Sequence, residues 1–126
     1  MPPWGPALGE TGVSDVTQTV LKLAGREHNS AAALRGEAHY KTICVACHGL
    51  AGEGNPLLGG PDLSNDIWLY GGTTEAIATS ISAGRTGTMP AQAELLNEHK
   101  AYILAGYVTS LQQSQQRQPQ RQPQRK

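Results

Sequence analysis

The stretch Cys44-Val45-Ala46-Cys47-His48 decides the fold prediction, because it attaches a large cofactor at one point of the chain. Two thiols one helical turn apart suit the two vinyl groups of haem, and His48 then presents its imidazole to the iron. This pattern is read as c-type haem attachment. A thioredoxin-like disulfide would need a preceding strand, but the segment before Cys44 has a helical pattern. A zinc site would need a second ligand pair, and the chain has only 2 cysteines and scattered histidines.

The iron needs a second axial ligand, and Met89 is the strongest candidate. It follows His48 by 41 residues, in a glycine-rich segment, and Pro90 comes next. Methionine raises the reduction potential relative to a second histidine. His99, at the start of the last predicted helix, is the competing ligand. The remaining alternative is that Met89 only packs in the core. The small, polar residues around it in the sequence disfavour that role.

Composition suits one small domain completed by a cofactor. The 126 residues are 38% hydrophobic and include no phenylalanine, so a haem would fill much of the core. Residues 1–111 carry six basic and ten acidic side chains, a balance of −4, which argues against a nucleic-acid partner.

No segment approaches the roughly 18–20 apolar residues that cross a bilayer, so we expect no membrane contact by these residues. No signal peptide is recognisable, so we expect the chain to belong to a longer protein.

Apolar residues recur at helical spacing and nowhere alternate as in a strand, which predicts an all-α fold. We expect helices over residues 14–24, 30–48, 74–83 and 97–111, and one short helical turn within 66–70. The expected caps are Ser14, then Asn29 or Ser30, and then Thr73 or Thr74. Residues 49–66 and 84–96 read as irregular loops. The Gln/Arg/Pro-rich residues 112–126 are expected to be disordered.

Gly36 and Tyr40 lie on one face of the helix that leads to the haem motif. A glycine there permits close approach of another helix, and Tyr107 of the last helix is the expected counterpart. The alternative is a tolerated interior glycine, at a cost of about 1 kcal/mol.

The sequence resembles class I cytochromes c through a set of spaced residues: Gly36, Tyr40, Cys44, Cys47, His48, Met89, Pro90 and Tyr107. Within that class, three stretches are similar to the dihaem cytochrome c subunit of cbb3-type oxidases, namely residues 62–63, 66–72 and 84–90. The resemblance covers nearly everything up to Leu111. Gln92-Ala93 departs from it, since the family commonly has a Trp-containing turn there, which leaves open how Met89 is shielded from water.

The resemblance implies a class I cytochrome c fold, with small helices wrapped around one covalent haem c. It implies single-electron transfer toward the oxidase, with no catalysis by this chain itself. The implied partners are the other oxidase subunits, a preceding haem domain and an electron-donor cytochrome. The implied location is the periplasmic face of the inner membrane, with an anchor outside this chain. The alternatives are a free periplasmic monohaem carrier and a haem-based gas sensor.

Trp68 and Arg85 are expected beside the haem propionates, because a buried propionate needs hydrogen-bond donors. Trp68 offers its indole N–H, and Arg85 precedes Met89 by four residues. The alternatives are that Trp68 only packs against the ring edge and that Arg85 is solvated.

Residues 1–23 match residues 89–111 without gaps at an offset of 88. Six pairs are identical: Met1/Met89, Pro2/Pro90, Leu8/Leu96, Glu10/Glu98, Val20/Val108 and Leu23/Leu111. We therefore interpret residues 1–29 as the tail of a preceding cytochrome c domain plus a linker, and residues 30–111 as the haem domain. Met1 would then be a ligand of an earlier haem and idle here. The alternative is a chance match.

Overall fold

Helices make up all the regular structure of residues 1–117, the part that the computed structural model describes, without the side chains of 112 and 114–117. They are α1 (Gly5–Leu23), α2 (Ser30–His39), α3 (Val45–His48), α4 (Thr74–Ala83) and α5 (Glu98–Arg117). A π-helical turn at Tyr40–Cys44 joins α2 to α3. The chain divides into two units, one from Met1 to Gly87 and one from Thr88 onward. The predicted all-α class is confirmed.

The core of the first unit is built mainly from α1. The buried cluster consists of Val13, Val16, Val20 and Leu21 of α1 with Ile77 and Ile81 of α4. Partly buried side chains pack against it, among them Trp4, Cys44 and Trp68. Residues 1–29 therefore share a core with the helix that carries the haem motif. Their origin as the tail of a preceding domain stays a prediction.

Helix α1 begins nine residues earlier than the sequence predicted, at Gly5 rather than Ser14. Ser14 is therefore not the cap. Pro6 lies in the first turn, where a missing N–H costs nothing. The backbone N–H of Trp4 donates to the carbonyl of Ile81 at 3.0 Å, which fixes the start of the helix on α4. Gly9 has φ +65° and kinks the helix there, a conformation that favours glycine.

Gly36 does mark a close helix crossing, and within the first unit its partner is α1. A Cβ at Gly36 would lie well inside 3.0 Å of the Asp15 carbonyl oxygen and of Thr19 Oγ1. Thr19 Oγ1 also donates to the carbonyl of Ala33 at 2.9 Å. Within the first unit the counterpart of Gly36 is thus α1, and the expected contact with Tyr107, which lies in the second unit, stays a prediction.

The helix leading to the haem motif is continuous over the predicted range, with one widened turn. Asn29 is its cap, since its side chain accepts from the backbone N–H of Ala32 at 2.9 Å. The helix ends at Gly49, as predicted, with φ +77°. Helix α4 also has the predicted bounds, and the side chain of Thr73 caps it by accepting from Ala76 N–H.

The expected helical turn within residues 66–70 is absent from this described segment. Short polar side chains instead accept hydrogen bonds from the backbone N–H groups of this segment. Asp62 Oδ1 accepts from Ser64 N–H at 2.7 Å, and Asn65 Oδ1 accepts from Ile67 N–H at 2.8 Å. Such turns compete with helix formation.

Helix α5, in the second unit, continues to Arg117, six residues past the predicted end at Leu111. Residues 112–117, which were expected to be disordered, are thus helical in the structure, and the disorder of the tail as a whole stays a prediction. Glutamine is a good helix former, and the first proline after Leu111 is Pro119. Residues 118–126, the rest of the predicted tail, lie outside the described residues. Within the described part of the chain, no helix is both long and apolar enough to span a bilayer.

Candidate haem site

The two cysteines and the histidine of the motif sit on the π-helical turn and α3. The extra residue in the turn lets the backbone N–H of Val45 reach back to the carbonyl of Tyr40. Tyr40 is only 2% exposed, and its hydroxyl donates to the carbonyl of Gly49 at 2.9 Å. Burial raises the pKa of Tyr40 to about 12. The buried tyrosine thus ties the start of the motif segment to the residue that ends it. Single π turns of this kind are frequent at functional sites.

The loop after the motif folds back onto its backbone. A Cβ at Gly60 would overlap the carbonyl oxygen of Cys47, so only glycine fits there. The N–H of Gly54 donates to the carbonyl of His48 at 2.7 Å. Asn55 Nδ2 donates to the carbonyl of Ala46 at 3.4 Å. The loop therefore satisfies carbonyls that the short helix α3 leaves open at its end.

His48 is oriented by that same loop. Its Nδ1 lies 3.0 Å from the carbonyl oxygen of Pro61. A carbonyl only accepts, so this contact places the proton on Nδ1. The lone pair of Nε2 is then left for a metal, which is the usual arrangement for a ligating histidine.

The two thiols of the motif are free and differ in exposure. Cys44 is half-buried and packs against the core, whereas Cys47 is exposed. Burial raises the pKa of the Cys44 thiol, and the neighbouring Cys47 adds to the rise.

Trp68 and Arg85, the two predicted propionate donors, have different partners in the structure. The guanidinium of Arg85 lies over the ring of Tyr70, 4.5 Å from its centroid, and its Nε donates to Ser80 Oγ at 3.0 Å. Trp68 lies under the guanidinium of Arg26, at 5.8 Å. Their expected position beside the haem propionates stays a prediction.

The sequence analysis missed three contributors to the site. Arg26, read only as part of a polar linker, donates to the carbonyl of Gly72 beside Trp68. Gly60 and Pro61 act through their backbone, and the only signal for them was the Gly-Gly-Pro run at 59–61.

Met89 and Pro90 lie in the second unit, in the irregular segment before α5. The Met89 side chain is 88% exposed. His99, the competing ligand, lies in the first turn of α5. The pairing of His48 with Met89 stays a prediction.

The residues of the first unit fit a covalently held haem. Two free thiols stand one turn apart, and a histidine beside them is fixed with Nε2 available. Among the described residues, the indole Nε1 of Trp68 is a buried donor without a hydrogen-bond partner. Leaving such a donor unpaired is costly, so this indole N–H suits an acceptor from a bound group. A haem propionate is an acceptor of that kind.

Comparison with known proteins gives a consistent result. Residues 31–108 match the family described as cytochrome C oxidase, cbb3-type, subunit III. The Cbb3-type cytochrome c oxidase subunit CcoP of Rubrivivax gelatinosus is 40% identical over 115 residues, which are 90% of this chain and 38% of that protein. CcoP of Rhodobacter capsulatus is 38% identical over 106 residues, covering 79% of this chain and 36% of the relative. FixP of Bradyrhizobium diazoefficiens is 44% identical over 79 residues, covering 63% and 27%. The chain thus spans less than two fifths of the length of these relatives.

Proposed function

This chain belongs to the cbb3-type cytochrome c oxidase subunit III family, and we propose that it is an electron-transfer domain that holds one haem c. The resemblance stated from the sequence is thereby confirmed at the level of the family. Membership in a cytochrome c family implies haem c as the cofactor. The number of haems and the residues that hold them are our proposal. The observation that carries it is the Cys44/Cys47/His48 motif with its imidazole fixed by the Pro61 carbonyl.

Cys44 and Cys47 would hold the group covalently, each thiol adding S–H across one vinyl double bond. His48, through Nε2, and Met89 would be the residues that hold the iron. When bound, the haem supplies a centre that gains and loses one electron. The carbonyl of Pro61 fixes the direction of the His48 imidazole, and with both ligands supplied by the chain the iron would have no position left for a substrate. Electron transfer without bond formation follows from such a site.

Trp68 would donate its indole N–H to a haem propionate. The unpaired, buried Nε1 supports this role. The Arg26 guanidinium lies over the same indole ring, 5.8 Å from its centroid. Arg85 stays a proposed second donor, although its guanidinium lies over Tyr70.

We further propose that the electrons pass toward the oxidase core of a membrane-bound complex on the periplasmic side. The other oxidase subunits and an electron-donor cytochrome would be the partners, and the anchor and a preceding haem domain would belong to the rest of the protein. The balance of −4 over residues 1–111 favours docking of basic surfaces near the haem edge. Transfer rates to a basic partner should therefore fall as salt rises. A rate that does not depend on ionic strength would indicate apolar docking instead.

The assignment of the sixth ligand can be tested with the chain's only two methionines. Met89→Ala in the haem-loaded chain should lower the reduction potential and open the iron to carbon monoxide, because a strong axial ligand is lost. Met1→Ala is the matched control and should leave both unchanged. A methionine-type visible spectrum that persists in Met89→Ala would show that Met89 is not the ligand. Carbon monoxide binding to the unaltered chain would instead favour a gas sensor.

A further inference from the structure

The backbone of Arg26 is held at the point where α1 ends. Its N–H donates to the carbonyl of Leu21 at 2.9 Å, and the N–H of Gly25 donates to the carbonyl of Lys22 at 3.0 Å. With Gly25 at φ +66°, these two bonds form a Schellman motif, a common way for helices to end. The position of Arg26 is therefore set by α1, although the residue belongs to the segment that the sequence predicts to be a linker.

The Arg26 side chain reaches the loop at residues 68–72. Its guanidinium lies over the indole ring of Trp68, 5.8 Å from the centroid, and donates to the carbonyl of Gly72, 46 residues further along the chain. Arginine suits this place, because its planar group can stack on a ring while its N–H groups still donate. Trp68 also packs against the buried core cluster. The indole is therefore restrained both by the core and by Arg26.

Gly72 leaves the space that this arrangement needs. A Cβ at Gly72 would lie 2.5 Å from Nη1 of Arg26 and 2.9 Å from Cγ of Trp68. Any other residue would therefore displace the guanidinium, the indole or both. The contact between Arg26 and Trp68 thus depends on a glycine at this position.

We propose that Arg26 is a positioning residue of the haem site, which holds the Trp68 indole in place for a haem propionate. The indole N–H is buried and has no hydrogen-bond partner in the part of the chain that the structure describes. A donor whose ring is already held loses less side-chain freedom when it binds an acceptor. The inference rests on the proposed function, in which Trp68 donates to a propionate. It adds that a residue from outside residues 30–111 completes the site.

Exchange of the Trp68 indole N–H with deuterium, followed by NMR on the full haem-loaded chain in its reduced state, reports how firmly the ring is held. Arg26→Ala removes the guanidinium and its hydrogen bond, so this exchange should become about tenfold faster. The indole N–H of Trp4 is an internal reference that should not change. Lys22→Ala is the matched control, because this cation near the end of α1 bonds Glu37 instead.

The reduction potential separates a positioning role from a merely structural one. Arg26→Ala should lower the potential, because a propionate with a weaker donor leaves more negative charge uncompensated and so favours the oxidised iron. Arg26→Lys keeps the charge but loses the planar group, so it should lower the potential as well. In a Trp68→Phe background, where the indole N–H is already absent, Arg26→Ala should lower the potential no further.

Gly72→Ala perturbs the same contact without altering either side chain. The new Cβ must push the guanidinium or the indole away, so exchange of the Trp68 indole N–H should become faster and the potential should fall. This variant keeps the inference testable if Arg26→Ala does not fold.

Three results would overturn the inference. One is unchanged exchange of the Trp68 indole N–H in Arg26→Ala. Another is an unaltered potential in Arg26→Lys, which would show that Arg26 acts through its charge alone. The third is an equal fall in potential when Arg26→Ala is combined with Trp68→Phe. If Trp68→Phe by itself leaves the potential unchanged, the propionate contact of the proposed function is wrong, and the indole exchange still decides whether Arg26 holds the ring.

Discussion

Replacing Gly36 with alanine tests whether the contact between α1 and α2 is as close as the structure shows. The new Cβ would lie well inside 3.0 Å of the Asp15 carbonyl oxygen, a separation that real Cβ atoms essentially never show. The obstacle is backbone, so α1 itself must move. Overpacking of this kind costs about 1–3 kcal/mol. Displacing α1 also breaks the 2.9 Å bond from Thr19 to Ala33, worth about 1 kcal/mol.

Alanine is the better helix former by about 1 kcal/mol, which offsets part of that cost. The free energy of unfolding should therefore fall by about 1–3 kcal/mol, and the melting temperature by about 4–8 °C per kcal/mol. Denaturant unfolding followed by far-ultraviolet circular dichroism measures the change. Gly106→Ala is the matched control, because that helical glycine has open space around it and should gain about 0.5–1 kcal/mol. If Gly36→Ala is as stable as the unaltered chain, the close crossing is wrong.

Two further predictions concern charged side chains of the first unit. The hydrogen bonds from Arg35 lower the pKa of Asp15 below its usual 3.8. This pair therefore stabilises the fold above about pH 4, and the stabilisation is lost as pH falls through the lowered pKa. The free energy of unfolding of Asp15→Asn should depend less on pH over that range than that of the unaltered chain. An equally steep fall in the free energy of unfolding with falling pH would contradict the pairing. Arg85→Leu should change the pH dependence of the reduction potential if Arg85 contacts a propionate. If the reduction potential depends on pH identically in the variant and the unaltered chain, Arg85 contacts no propionate and only packs on Tyr70.

The parts of the structure that follow from short-range patterns were predictable. The bounds of α4 follow from Thr73 as a cap and Gly84 as a stop. The helix before the haem motif follows from Asn29 and Gly49 in the same way. These signals act within one or two turns of the chain, so the residues that carry them are next to the feature they determine.

Features that depend on long-range packing were not predictable. Gly36 indicated a close helix contact, but nothing in the sequence distinguishes α1 from α5 as its partner, since both carry the same apolar spacing. Ser14 looked like a cap because it precedes the apolar positions, yet the start of α1 depends on the bond from Trp4 to Ile81. Both outcomes are decided by contacts between residues far apart in the chain.

The candidate haem site also has one part that the sequence predicts and one part that depends on long-range packing. Cys44, Cys47 and His48 are recognisable from spacing alone, whereas the direction of the His48 imidazole depends on the carbonyl of Pro61. That carbonyl is held near the motif because Gly60 packs directly on the backbone of Cys47. In the proposed haem site, a histidine held by the chain would have little orientational freedom left to lose on binding iron. The same restraint would limit changes in the direction of the imidazole during one-electron transfer. This restraint comes from a loop with no helical or strand pattern, and from backbone atoms that a motif search does not see.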